Sequence, residues 1–570
     1  MEMIFYLLGI AALMCAAIIA DLFRRRKSVA IEKENLRSEY GKVITPNIDN
    51  CKIDHEKLDV FYRAFCAINN EKISEIDDIT YNDLELDALY EQLCRTSCSI
   101  GEEYLYARMR AINIIKDDCP GIYDECSDFS EDVELRTKLQ LILRHEIGNS
   151  KKSIYKLFEQ LYSAKQISIA NDILSDLFVL ISVVILFINP VIGIILLIAA
   201  LFVAVTGYSA RKKLLSEHLD ALTFLIKCVR CALHINADLK DKELSSAGYF
   251  KEKLEIIVKK LKPITAGSFL LPSKTGTFSD PFNILLDYLR MIFRFDIIIY
   301  SLKIKQIVNM KDDIEALYIL IGRLDTDIAI SSYIKSLPSH CKAYSEETQI
   351  ASLSVKGLYH PYVSSPVRND ISMVRPVILS GSNASGKSTF LKALGMSVLL
   401  AQSFGFAAAD EYRASYLRLY TSMALRDNML KHESYYIVES GSIKRICDEA
   451  AYDIPMIAII DEVLRGTNTI ERIAASYSIL SSLKKSNVLL AAATHDTELC
   501  ELLKDEFDCR YFSEVIIDNN ISFPYKLYNG IGNTNNAIKL LDIIGFDANV
   551  TTRAEKMAQM YSETGRWEKV

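Results

Sequence analysis

The feature that most restricts what this chain can fold into is Gly381-Ser382-Asn383-Ala384-Ser385-Gly386-Lys387-Ser388-Thr389. It satisfies the spacing G-x-x-x-x-G-K-[ST]. An apolar run, Arg375-Pro-Val-Ile-Leu-Ser380, precedes it, and a helical pattern from Phe390 to Gln402 follows. That context asks for a strand, a phosphate-cradling loop and a helix whose positive dipole end faces the anion. Gly381 and Gly386 let the backbone curl so that successive N–H groups turn towards phosphate oxygens. On this reading Lys387 contacts the β- and γ-phosphates and the Ser388 hydroxyl ligates Mg²⁺. Thr389 caps the helix or touches the α-phosphate. The expected cofactors are ATP and Mg²⁺.

Downstream, Met456-Ile-Ala-Ile-Ile460 reads as a buried strand that ends in Asp461-Glu462. A carboxylate at that strand terminus, Asp461, suits the Mg²⁺ shell, and Glu462 beside it suits polarising an attacking water. A third strand, Val488-Leu-Leu-Ala-Ala-Ala493, runs into Thr494-His495-Asp496, which brings His495 within reach of the γ-phosphate or the lytic water. From about Lys342 onward the chain alternates short β-branched runs, turns and helices, the pattern of an α/β unit. The expected fold class is thus an α/β P-loop ATPase domain, residues 342–570, C-terminal to a mainly α-helical region with transmembrane helices.

Two apolar stretches define that upstream part. Met3 to Ala20 is about as long as a bilayer core demands and is followed closely by Arg24-Arg25-Arg26-Lys27. Charges after the run, not before it, read as an uncleaved anchor over residues 1–27 with a cytoplasmic flank. Residues 173–205 form a second stretch, interrupted by the turn-forming pair Asn189-Pro190. Lys151, Lys152, Lys156 and Lys165 precede it and Arg211-Lys212-Lys213 follow it, which marks both sides as cytoplasmic. A helical hairpin over 168–210 is expected. Localisation is then the cell membrane, multi-pass, with the ATPase domain in the cytoplasm. Residues 28–167 and 211–341 read as helical, the second as a core or lever-like region. The acidic stretch from Glu71 to Glu91 reads as a solvated surface. Thirteen scattered cysteines suit a reducing compartment, and a formal net charge of −7 argues against a nucleic-acid coat protein.

Several spaced motifs together resemble the ATPase domain of the MutS mismatch-repair family. They are Asn383 within the loop, Asp461-Glu-Val-Leu-Arg-Gly-Thr-Asn468, Ala493-Thr-His-Asp496, Tyr525-Lys-Leu-Tyr-Asn-Gly530 and Asn535 to Phe546. The resemblance begins near Leu358-Tyr-His-Pro361 and Asn369-Asp370 and covers roughly the last third of the chain. It implies an ABC-type ATPase working as a homodimer, with each nucleotide sandwiched between subunits. It would make Asn383 a phosphate contact and Ser434 a contact to the partner's γ-phosphate. The segment around Glu439 would link the nucleotide site to the rest of the molecule. Arg465-Gly466-Thr467-Asn468 would lie at the dimer interface.

The departures from that family bear on function. Mismatch-detecting members carry an N-terminal domain with a Phe-x-Glu reading motif, whereas this chain opens on an apolar anchor. Phe250-Lys-Glu252 and Phe512-Ser-Glu514 carry the bare tripeptide elsewhere and read as chance. Two readings follow. One is a membrane-anchored MutS-like ATPase that binds mismatched or branched DNA. The other is an ATP-driven switch acting on the membrane or on an unidentified protein partner, without DNA.

Overall fold

The computed structural model describes residues 20, 23–24, 26–44, 53–116, 122–164, 167–240, 242, 248–271, 281–382, 385–423, 435–465, 467–517, 520–532 and 537–567. Residues 1–19, 21, 22 and 25 of the expected anchor over 1–27, together with Asn383, Ser434 and Gly466, lie outside the described residues.

Mixed α/β sheets stand behind a large helical region. Six strands form the main sheet: β6 (Val377–Ser380), β9 (Arg418–Ser422), β10 (Met456–Asp461), β11 (Val488–Ala493), β12 (Asp508–Phe512) and β15 (Leu527–Asn529). Their spatial order is β15-β12-β6-β11-β10-β9, all parallel except the β15–β12 pair. Strands β6, β10 and β11 are buried along their whole length, which is why they read as unbroken apolar runs instead of alternating ones. A second sheet joins β3 (Cys341–Glu346), β4 (Leu353–Leu358), β5 (Asn369–Met373), β7 (Phe406–Ala407) and β8 (Glu411–Ser415) in the order β5-β4-β8-β3-β7. Two short pairs, β1 (Ile73–Glu75) with β2 (Ala111–Asn113) and β13 (Val515–Ile517) with β14 (Asn520–Ser522), complete the strands.

Of the helices, α1 (Asp78–Asp83) and α2 (Ser99–Arg110) pack next to the ATPase unit, α7 (Lys311–Ser336) packs on α2, and α8 (Lys387–Phe404) follows the P-loop. Helix α8 is apolar nearly all round and buried on almost every side, as a helix wedged between two layers must be. One hydrophobic core runs continuously from the N-terminal helices across α8 to one face of the main sheet, including Leu84, Leu394, Ile459 and Leu489. A second fills the opposite face with Ile446, Ile460, Leu490 and Phe507. Residue 342 is therefore not a gap in packing.

The acidic stretch 71–91 is only partly the expected solvated surface: Glu71, Glu75 and Asp78 are exposed, but others are engaged. Asp83 is buried and accepts hydrogen bonds from the Thr421 hydroxyl (2.7 Å) and the Met423 N–H (2.9 Å). Thr80 accepts from the Thr421 N–H, Asp77 pairs with Arg445, and Glu85 pairs with Lys392 at 2.7 Å. Thr80 and Asp83 thereby cover the edge of β9, whose main-chain N–H groups need partners, while Asp77 and Glu85 pair with cations on neighbouring helices. An acidic residue suits position 83 because the groups it meets, a hydroxyl and an N–H, are donors.

The apolar stretch forms α3 (Ala170–Ile188) and α4 (Pro190–Leu239), broken at Asn189, whose side chain accepts from the Ile192 N–H as an N-cap. Both are long and apolar enough to cross a membrane. The expected boundary at 210/211 falls inside α4. No glycine–proline breaker marks it: the helix only changes from apolar on all sides to apolar on one face. Within the segment 211–341 that reads as helical, α5 (Pro281–Phe293) and α6 (Phe295–Asn309) are separated by Arg294 at φ +48°.

Candidate functional site

The C-terminal ends of the central strands β6, β10 and β11 meet the N-terminus of α8. Open parallel sheets bind ligands outside these ends. Gly386 enters α8 with φ +101°, and a Cβ there would lie 2.9 Å from the Tyr525 ring, so only glycine fits the turn. Lys387, the first residue of α8, is buried. Its ammonium donates to the Gly381 carbonyl (2.5 Å) and the Ser382 carbonyl (2.8 Å), folding back over its own loop. Burial pushes this ammonium's pKa down, while Glu462 and Asp461 nearby favour the charged form.

Asp461 ends β10. Burial pushes its carboxyl up, and a hydrogen bond from the Ser388 hydroxyl pulls it back. Its Oδ1 is buried with no hydrogen-bond partner among the described residues. A hard divalent cation takes oxygen ligands, and the Ser388 hydroxyl with this orphaned carboxylate oxygen is such a pair. The residues present fit Mg²⁺. Among the described residues no three His, Cys, Asp or Glu side chains converge on one point, so any further ligands of a Mg²⁺ held here would have to come from outside these side chains.

Glu462 follows in the left-handed region at φ +59°, and its N–H donates to the Ala493 carbonyl at 3.0 Å. An ordinary residue held there signals a geometry imposed by its surroundings. The turn beyond it is pinned by Glu439 on α9 (Tyr435–Glu449), whose carboxylate accepts from the Arg465 N–H at 2.9 Å. Burial pushes the Glu439 carboxyl up, and the N–H groups of Arg465 and Leu464 pull it back. Arg465 Nε reaches Glu462 Oε2 at 2.6 Å, and its Nη2 donates to the Asp461 carbonyl at 3.3 Å. His495 is half-exposed, with Nδ1 3.9 Å from Glu462 Oε1. Asp496 beside it is held by Arg472 of α10 (Thr469–Ser482) through two bonds of 2.9 and 2.7 Å.

Of the residues singled out in the sequence, Gly381, Gly386, Lys387, Ser388, Asp461, Glu462 and His495 are brought together. Thr389 faces an adjoining cavity of about 310 Å³, lined also by His360, Val367, Phe390 and Tyr525. Asn369 shapes its wall: its amide donates to the Tyr525 carbonyl (2.9 Å) and accepts from the Leu527 N–H (2.8 Å). One contact was not legible: Ser382 donates to Glu514 at 3.0 Å. Glu514 belongs to the Phe-Ser-Glu tripeptide set aside as chance, and it lies too far along the chain for spacing to reveal it.

Residues 377–562 match the family model described as MutS domain V, which is a P-loop ATPase domain. Curated relatives include three DNA mismatch repair proteins MutS. That of Thermotoga sp. (strain RQ2) is 28% identical over 250 residues, 42% of this chain and 31% of that protein. That of Thermotoga petrophila is 27% identical over 264 residues, 44% and 33% of the two chains. That of Thermotoga maritima is 30% identical over 217 residues, 36% and 27%. The chain thus spans about a third of the length of the curated relatives it matches. The similarity embraces every described element of the candidate site from β6 onward.

Proposed function

We propose that this chain is an ATPase that binds ATP with Mg²⁺ and hydrolyses it to ADP and phosphate. The observation that carries the reading is the meeting of Lys387, Ser388, Asp461 and Glu462 at the ends of β6 and β10. Lys387 leaves the loop carbonyls for the β- and γ-phosphates, whose charge restores the ammonium that burial disfavours. Ser388 and Asp461 hold Mg²⁺, which neutralises phosphate charge. Glu462 orients the attacking water and takes its proton, with His495 beside it at the γ-phosphate. Gly381, Asn383, Gly386 and Thr389 complete the phosphate cradle, and the cavity beside Thr389 receives the base. As in the family reading, Ser434 of a second copy completes the site, so the working form is a homodimer. The apolar segments hold the protein at the cell membrane with the ATPase unit in the cytoplasm.

ATP turnover moves the helical region through α8, whose far end is tied to that region. Arg108 donates to the Ser403 carbonyl (2.8 Å) and Gln402 donates to the Asn113 carbonyl (2.6 Å). What the motion serves divides into two readings. The relatives' name favours mismatched or branched DNA. The net charge of −7 and the apolar hairpin favour a membrane or protein partner. Titration with duplex, mismatched and branched DNA at low salt separates them, because phosphate-driven binding is strongest there. For the ATPase itself, Lys387→Ala is expected to abolish ATP binding in equilibrium dialysis. Native affinity in that variant would remove the site.

A further inference from the structure

The membrane reading leaves open how the hairpin α3–α4 sits in a bilayer. Its outward apolar belt runs from Ile173 to Ile188 on α3 and from Val191 to Val203 on α4. At about 1.5 Å per residue these belts are about 22 and 18 Å tall. A hydrocarbon core is about 30 Å thick.

The two ends of the belt are unlike. At the foot, Arg294 enters from the α5–α6 junction and is almost wholly buried. It donates to the Asp172 carbonyl (3.1 Å), Asp176 Oδ1 (3.1 Å), the Ser175 hydroxyl (2.8 Å) and the Ala204 carbonyl (3.2 Å). Arg211 pairs with Asp172, Tyr208 donates to Asp296 at 2.9 Å, and Lys212 donates to the Tyr208 hydroxyl at 2.8 Å. This floor of ion pairs joins the hairpin to α5 and α6. At the tip there is no charge. Phe187, Ile188 and Val191 are each at least 70% exposed around the turn at Asn189-Pro190. The tip is also closed tightly, since a Cβ on Gly193 would fall 2.3 Å from the Leu186 Cα. A hairpin that crossed would deliver these bare apolar side chains to water on the far side, with no charged residue, Trp or Tyr to anchor it at the far headgroups. Burying them in acyl chains avoids that cost.

We infer that α3–α4 is a re-entrant wedge: it enters the bilayer from the cytoplasmic face, buries its tip among the lipid chains and does not cross. The partner is the hydrocarbon of one leaflet and the bilayer centre, and the Arg294 floor sits at the near interface. This rests on the reading that the protein is at a membrane.

Trp567 is the only tryptophan, so Trp567→Phe with Val191→Trp places a single reporter at the tip. The full chain is reconstituted in phosphatidylcholine vesicles with bromines either near the headgroup or near the chain ends, with iodide as aqueous quencher on both sides. The wedge predicts that chain-end bromines remove most of the emission and iodide removes almost none. Quenching by headgroup-level bromines and by enclosed iodide would show a crossing hairpin and overturn the wedge while keeping the membrane reading. No lipid quenching at all would overturn both. Retained ATP binding in the same sample, and Phe187→Trp as a second reporter, exclude a misfolded variant as the cause.

Discussion

At the scale of residues, the site stores an unfavourable charge. Asp461 is buried, its carboxyl is pushed up and one oxygen has no partner. A carboxylate whose folded pKa is raised weakens the fold increasingly as pH climbs from the ordinary carboxylate value to the raised one, and the loss is constant above it. Asp461→Asn removes the charge while keeping the shape. It is expected to raise the melting temperature of the nucleotide-free protein by about 1–3 °C at neutral pH. The gain should shrink as pH falls towards the ordinary carboxylate value of about 4, where the native group is neutral too. Mg²⁺-dependent hydrolysis should be lost in the same variant. Calorimetry across pH checks the first part, and a lower melting temperature for the variant would contradict it. Lys387, Ser388, Asp461 and Glu462 were legible in the sequence because each sits at a fixed offset from a strand end. Glu514 and the grip of Arg472 on Asp496 were not, because contacts between distant segments leave no spacing to read.

At the scale of elements, periodicity placed the buried strands and α8 well, since an unbroken apolar run between a turn and a helix admits few alternatives. It failed where tertiary partners decide. The acidic run 71–91 looked solvated because charge alone cannot show that α1 covers the edge of β9. The break between α5 and α6 was not legible because nothing local marks Arg294 as left-handed; the reason is the set of carbonyls and carboxylates waiting for its guanidinium. The α1–β9 contact makes a sharp prediction. Asp83→Ala strands the Thr421 hydroxyl and the Met423 N–H in a dry interface. That should cost about 2–4 kcal/mol. A urea titration would show it as a lower midpoint with little change in slope. An unchanged midpoint would mean that the edge of β9 is covered by other means.

At the scale of the whole molecule, the P-loop helix is a shared part. Its first residues lie beside Asp461 and Glu462 at the strand ends, and its last turn is bonded to Arg108 and Asn113 of the helical region, which continues through α7 and α6 to the Arg294 floor of the hairpin. The continuity of the core across residue 342 makes the ATPase unit and the helices one packed body on that side, not two domains on a flexible linker. If a second copy completes the site, ATP held without turnover should shift the detergent-solubilised protein from monomer to dimer mass in light scattering, and Lys387→Ala should stay monomeric with ATP. A monomer in both cases would contradict the sandwiched site.

The central claim is that Glu462 performs the chemistry on ATP that Lys387 holds. The most direct measurement is the fate of γ-labelled ATP on the purified Glu462→Gln protein beside the native one. The account predicts that the variant retains ATP with near-native affinity while phosphate release falls by at least about 100-fold. Phosphate release at the native rate would contradict it.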